Sequence, residues 1–193
     1  MQTITKVYDR YEQAQKAVRD LESVGIRSSE ISLVANKSVS EQHTNVADAS
    51  EAGTGAGIGA VVGGTAGLLT GLGLLAIPGL GPVVAAGWLA TTALGAVAGG
   101  ATGGILGALV SAGVPEDHAH VYSEAVRRGG TLVSVRTENS QTEKVNSILG
   151  RYQPIDPVRQ GTEYSKTGWN QFDPKAAPYE STKTAAERIR RTS

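Results

Sequence analysis

Apolar and polar positions change period several times along the first 36 residues. Residues 3–8 read as a strand. Tyr11, Ala14, Val18 and Leu21 then recur at helical spacing until Gly25. Asp9 and Glu12 form a D-x-x-E pattern that predicts a capping box at the start of this helix. Ile31, Leu33 and Ala35 alternate with Ser32, Val34 and Asn36, predicting a second strand, so residues 1–36 read as β-α-β. The same signals return late in the chain. Pro115, Glu116 and Asp117 suit the first turn of a helix whose apolar stripe is Ala119, Tyr122 and Val126, and Gly129-Gly130 stops it. Residues 131–136 (TLVSVR) predict a strand. Ser140 and Glu143 predict a second capping box, ahead of Val145, Ile148 and Leu149. Residues 114–152 thus read as α-β-α. Neither half could cover both faces of its own sheet, which predicts one α+β domain split by an insertion.

The insertion has a composition of its own. Residues 37–51 are a polar linker rich in Ser, Thr, Asn and Gln. From Ala52 to Pro115 no Asp, Glu, Lys, Arg or His occurs, and 19 of the 25 glycines fall there. Gly55, Gly59, Gly63, Gly67 and Gly71 repeat every four residues. A second series runs through Gly87, Gly95, Gly99, Gly103 and Gly107, with Thr91 and Ser111 in the same register. Four-residue spacing places small residues along one helix face, where backbones can approach closely. Pro78-Gly79-Leu80-Gly81-Pro82 separates the series, so 52–113 predicts a glycine-zipper antiparallel helical hairpin with its turn at Pro78, Gly79, Gly81 and Pro82. Glycine costs about 0.8–1 kcal/mol against alanine inside a helix, so such arms are poor helices in water. In a bilayer the unpaired backbone groups reverse that balance, and arms 52–77 and 83–112 are each long enough to cross a core of about 30 Å. The lipid bilayer is therefore one expected partner, by a spanning or re-entrant hairpin, and a second copy of the chain is the other. The competing expectation is a soluble self-assembling scaffold whose hairpins share a protein core.

The remaining composition excludes more than it assigns. Eighteen basic residues balance eighteen acidic ones, which removes the expectation of nucleic-acid binding. The absence of cysteine excludes disulfide scaffolds, thiol nucleophiles and cysteine-based metal sites. No basic segment followed by an apolar run begins the sequence, so the reading predicts an N-terminus without a secretory signal. No phosphate-binding or nucleophile-elbow motif is present, so no cofactor and no catalytic residue is expected. His118 and His120 stand two apart, on different faces of a helix, and Arg127 and Arg128 fall in the last turn, where cations are favoured. Residues 153–193 read as a mostly disordered polar tail. Its aromatics Tyr164, Trp169, Phe172 and Tyr179 are candidate contact points for an unidentified protein partner.

Taken together, TKVYDRYEQAQKAVRDLESVGIRSSEISLVA, the glycine-rich insertion and VPEDHAHVYSEAVRRGGTLVSVRTENSQTEKVNSILGRY resemble the bacterial general stress proteins with a heat-induced YflT-type domain, from Thr3 to about Tyr152. The resemblance implies a small ferredoxin-like α+β domain, a bacterial source, a role in stress and no established catalytic residue. A ferredoxin-like sheet needs a fourth strand, for which residues 155–158 are the candidate, restricted to an edge by Pro154 and Pro157. The expected whole is a non-enzymatic stress protein on the bacterial cytoplasmic membrane. Its hairpin anchors and oligomerises an α+β domain on the cytoplasmic side.

Overall fold

The computed structural model describes residues 1–36, 73–77, 80–90, 92 and 104–176. The first unit is β1 (Gln2–Tyr8), α1 (Tyr11–Ser23) and β2 (Ile31–Asn36). Much later in the chain, β5 (Thr131–Thr137) inserts between the two strands and runs antiparallel to both: Thr5 lies opposite Ser134, and Ser134 opposite Ser32. β1 and β2 are therefore parallel, joined by α1 around the returning strand, which is a split β-α-β unit. Strands from before and after the insertion thus lie in one antiparallel sheet, an α+β arrangement.

Alternation along the strands supplies two cores, because the sheet is covered on both faces. On one face α1 and α4 (Thr142–Gly150) pack Tyr11, Val18, Leu21, Val145 and Leu149 against Ile4, Tyr8, Ile31, Leu33, Val133 and Val135. The Tyr8 hydroxyl donates to Leu149 O at 2.9 Å, pairing a polar group that burial would otherwise strand. On the opposite face α3 (Glu116–Arg127) lays Ala119, Tyr122, Ala125 and Val126 against Val7, Val34 and Leu132. Because both faces are covered, β2 and β5 are buried along nearly their whole length, Ser32 and Ser134 included.

Two capping expectations are corrected. Arg10, not Asp9, is the N-cap of α1, and its N–H donates to Gln13 Oε1 at 3.2 Å, so Glu12 is not the box residue. The Ser140/Glu143 box does not form. A 3-10 turn at Asn139–Gln141 precedes α4, and its Gln141 N–H is already taken by Glu138 O at 2.9 Å.

The insertion departs furthest from expectation. β3 (Gly73–Ile77) and β4 (Gly81–Ala86) are strands where ends of helical arms were expected. The chain does reverse at the expected place, with Ile77 opposite Gly81, but it joins strands, and Gly81 and Pro82 belong to β4. β4 pairs with the outer side of β2, Leu33 opposite Ala86 and Ala35 opposite Val84, giving an antiparallel sheet in the order β1-β5-β2-β4-β3. Without β4 the backbone groups along that side of β2 would lack a ladder partner, and a helix could not supply one. Gly73 and Gly81 weaken a helix here, while Ile77, Val83 and Val84 favour extended chain.

Gly87 shows the same correction locally. It was expected on a helical ridge, yet its φ is +89°, and a Cβ built on it would lie 2.2 Å from Ile31 O. Glycine here permits a turn hard against β2, after which Leu89 N donates to Ser32 Oγ at 2.9 Å. Further on, α2 (Gly104–Ser111) is helical as expected, but its buried residues are Gly104, Ile105, Ala108 and Leu109, one face away from the expected series. Gly107 is half-buried and Ser111 exposed.

The second split unit of a ferredoxin-like sheet is not completed among the described residues. Ile155 N donates to Val7 O at 2.7 Å, a single bond to the outer side of β1. Asp156 then caps a helix, its side chain accepting from Arg159 N at 2.9 Å, and Pro157 occupies the first turn. That local signal sends the chain into α5 (Pro157–Ser165) in place of a fourth strand. Among the described residues no helix is long and apolar enough to cross a membrane.

Candidate functional site

The most strongly organised polar cluster lies where α5 and the residues after it cross α3. Glu124 is 1 % exposed. It accepts from Arg127 Nε at 2.8 Å and from both Arg127 and Arg128 on its other oxygen. The i, i+3 and i, i+4 spacings place both guanidinium groups on one carboxylate, and paired charge is the condition for burying it. Arg128 also lies over the Tyr164 ring, 4.3 Å from its centroid, and Trp169 meets Tyr164 edge-on at 5.5 Å. Gly161 brings α5 close to α3: an added Cβ would be 3.1 Å from Val121 Cγ2. Phe172 is buried, and its N–H donates to His120 Nδ1 at 3.2 Å. That nitrogen is therefore an acceptor here, Nε2 lying 3.9 Å from Glu116 Oε1.

This clasp corrects the reading of residues 153–176 as disordered tail. Ile155, Tyr164 and Phe172 are buried, and Tyr164, Trp169 and Phe172, read from the sequence as contact points for another protein, have partners within the chain, while Tyr179 lies outside the described residues. Aspartate before proline at 156–157 was the available signal for α5. The aromatic docking depends on α3 and could not be read from the tail itself.

Elsewhere the described polar groups hold structure together. Thr5 Oγ1 and Ser134 Oγ are 2.8 Å apart and buried in the middle of the sheet. Arg136 donates to Glu30 Oε2 at 3.1 Å while its guanidinium lies 4.7 Å from the Trp88 ring centroid. A groove of about 320 Å³ between α1 and α4 is lined by Asp20, Ser23, Lys144, Ser147, Ile148 and Arg151, but Asp20 already accepts from the Tyr152 hydroxyl. Burial, and then the charge of Asp156, pushes the Tyr122 phenol up to about 12. Burial likewise raises Tyr8, Tyr11 and, against the lowering field of Arg128, Tyr164. These phenols hold their protons at neutral pH and are poor general bases. No group of three or more metal-ligating side chains occurs among the described residues.

Gly55, Gly59, Gly63, Gly67, Gly71, Gly95, Gly99 and Gly103, with Pro78 and Gly79, lie outside the described residues. The others separate: Gly81 and Pro82 are in β4, Gly87 is at its exit, and Gly107 is on α2.

Comparison with known families gives one finding. Residues 3–78 match the heat induced stress protein YflT domain. The match takes in β1, α1, β2 and β3 and ends at the turn after β3, which supports a relation to stress proteins. No curated protein and no solved structure matches the chain.

Proposed function

We propose that this is a non-enzymatic bacterial stress protein that works by association, its uncharged glycine-rich insertion joining copies of the chain. The observation that carries this reading is that the insertion is tied into one sheet at several points. β2 ends at Asn36 and β3 begins at Gly73 on the same sheet, and Leu80, Val83, Leu89, Ile105 and Leu109 serve the domain's own core. The uncharged run before β3, residues 52–72, has 21 residues, whereas a hairpin that crosses a bilayer core of about 30 Å and returns needs about 20 residues for each crossing. The 11 residues 93–103, between described segments, are shorter still. Contact between small-residue surfaces of two copies therefore fits better than a spanning anchor. A second reading, favoured by the absence of any charge in 52–72, is shallow attachment to the bacterial cytoplasmic membrane from the cytoplasmic side.

One experiment addresses both. The full chain and a Gly59→Asp/Gly63→Asp/Gly67→Asp variant are compared by sedimentation velocity and by flotation with anionic vesicles. The parent is expected to assemble without lipid and the variant to lose most of that assembly. Flotation of a parent that stays monomeric without vesicles favours the membrane reading, and a parent that neither assembles nor floats removes both.

A further inference from the structure

Among the described residues no strand pairs with the outer side of β1, and that edge has a built-in direction. Val7 O is turned away from β5, since it accepts from Ile155 N. In an antiparallel strand the N–H and C=O of one residue point to the same side, and alternate residues share that side. Val7, Thr5 and Thr3 therefore present their backbone groups outward, while Ile4, Lys6 and Tyr8 face β5 across the pairs Ile4–Val135, Lys6–Val133 and Tyr8–Thr131. Among the described residues only Val7 O of this outer row has a partner. The protections usual at such an edge are thin: residues 1–5 contain no proline and no charge, and Lys6 is the only charged residue of the strand.

From this edge we infer that two copies of the chain pair β1 to β1 in antiparallel orientation about a two-fold axis at Thr3, joining their sheets edge to edge. The register follows from the geometry. Centring the axis on Thr5 would set Thr3 of one copy beside Val7 of the other, where the chain at Ile155 already stands. Centring it on Thr3 opposes Thr3 to Thr3, Thr5 to Met1 and Gln2 to Ile4. No charged side chain among residues 1–5 then meets another. The Thr and Ile content suits cross-strand packing, and Met1, 85 % exposed in the single chain, gains cover. A symmetric axis makes the edge its own complement, which favours a second copy over another protein's strand. The chain's own end is a poor candidate, since residues 181–191 carry a helical and basic pattern, not an alternating one.

Five paired residues make a small interface, well below the roughly 1,200–2,000 Å² of a stable complex. The edge is thus a weak contact whose effect grows when copies are held by a second one. It deepens the self-association reading, on which its biological use rests, by adding a contact outside the insertion. Two different self-contacts on one chain would build extended assemblies in place of closed pairs.

The test uses the full chain, with and without the Gly59/Gly63/Gly67→Asp changes that disable the insertion. Thr3→Lys sets two ammonium groups face to face on the axis. Thr3→Pro removes only an outward N–H that β5 does not use, a change an edge strand tolerates. Circular dichroism verifies the fold. In the Asp background, concentration-dependent dimerisation is expected to remain and to weaken at least about tenfold with Thr3→Lys or Thr3→Pro, as loss of about 1.4 kcal/mol would give. Because the chain has no cysteine, Thr3→Cys is expected to form a disulfide dimer under mild oxidation much faster than Ser28→Cys. The proposal is overturned if the Asp variant is strictly monomeric, if Thr3→Lys sediments as its parent does, or if the two cysteine variants crosslink equally. Assembly of the parent alone, lost entirely with the insertion changes, would leave the insertion reading standing and remove the edge.

Discussion

Replacing Gly87 by alanine distinguishes the strand-and-turn arrangement from a helical arm by the sign of the effect. In a helix interior Gly→Ala stabilises by about 1 kcal/mol. In the structure Gly87 has φ +89°, and the new Cβ would meet Ile31 O at 2.2 Å, Ser32 Oγ at 2.6 Å and Ser32 Cα at 2.7 Å. The left-handed conformation costs about 1–2 kcal/mol for a residue with a side chain. Displacing a neighbouring main chain costs about 1–3 kcal/mol, and disturbing the Leu89 N–Ser32 Oγ bond about 1 kcal/mol more. Since relaxation shares these costs, about 3–5 kcal/mol of destabilisation is expected. Gly25 supplies the matched control, with φ +92° and nothing within 4 Å of its added Cβ, so Gly25→Ala should cost only the conformational part, about 1–2 kcal/mol. Equilibrium urea unfolding followed by circular dichroism and by fluorescence of Trp88 and Trp169 measures both variants. If Gly87→Ala is stabilising, or no worse than Gly25→Ala, the close approach of β4's exit to β2 is wrong.

Phe172→Ala should cost about 3 kcal/mol in the docking of residues 157–176 while leaving the sheet intact. Faster hydrogen exchange in α5 and a shift in Trp169 emission, with β5 still protected, would report it; uniform loss across the sheet would contradict a separable clasp. The raised phenols predict alkaline sensitivity of a definite sign. Tyr122 is pushed from 10 up to about 12, so the folded chain holds its proton more firmly than the unfolded one. The resulting stability, about 3 kcal/mol, is complete below pH 10 and is lost as pH rises through about 12. Near-ultraviolet titration in which every tyrosine ionises together near pH 10, without unfolding, would count against this burial.

The chain's own periodicities determine β1, α1, β2, α3, β5 and α4, because each keeps one spacing long enough to bury a stripe or a face whatever its partner. They also carry the split arrangement, since two three-element halves each leave a sheet face that only the other can cover. Cap positions were legible to within a residue or two, because Gln13 and Glu12, or a 3-10 turn and a capping box, can satisfy much the same end groups. The fate of GLLAI at 73–77 was not legible. Its apolar residues satisfy a helix in lipid and a strand in a sheet equally well, and the open side of β2, distant in sequence, decides between them. Gly87 belongs to one regular glycine series on paper, yet its role follows from the main chain of Ile31 and Ser32 passing 2.2–2.7 Å from where a Cβ would stand. Tyr164 and Phe172 look like isolated aromatics in a polar tail until His120 on α3 and Arg128 just past its end supply their partners. Local pattern fixes an element when its burial requirement is met by one repeating face; where two environments meet that requirement, the tertiary neighbour supplies the missing hydrogen bonds and sets the outcome.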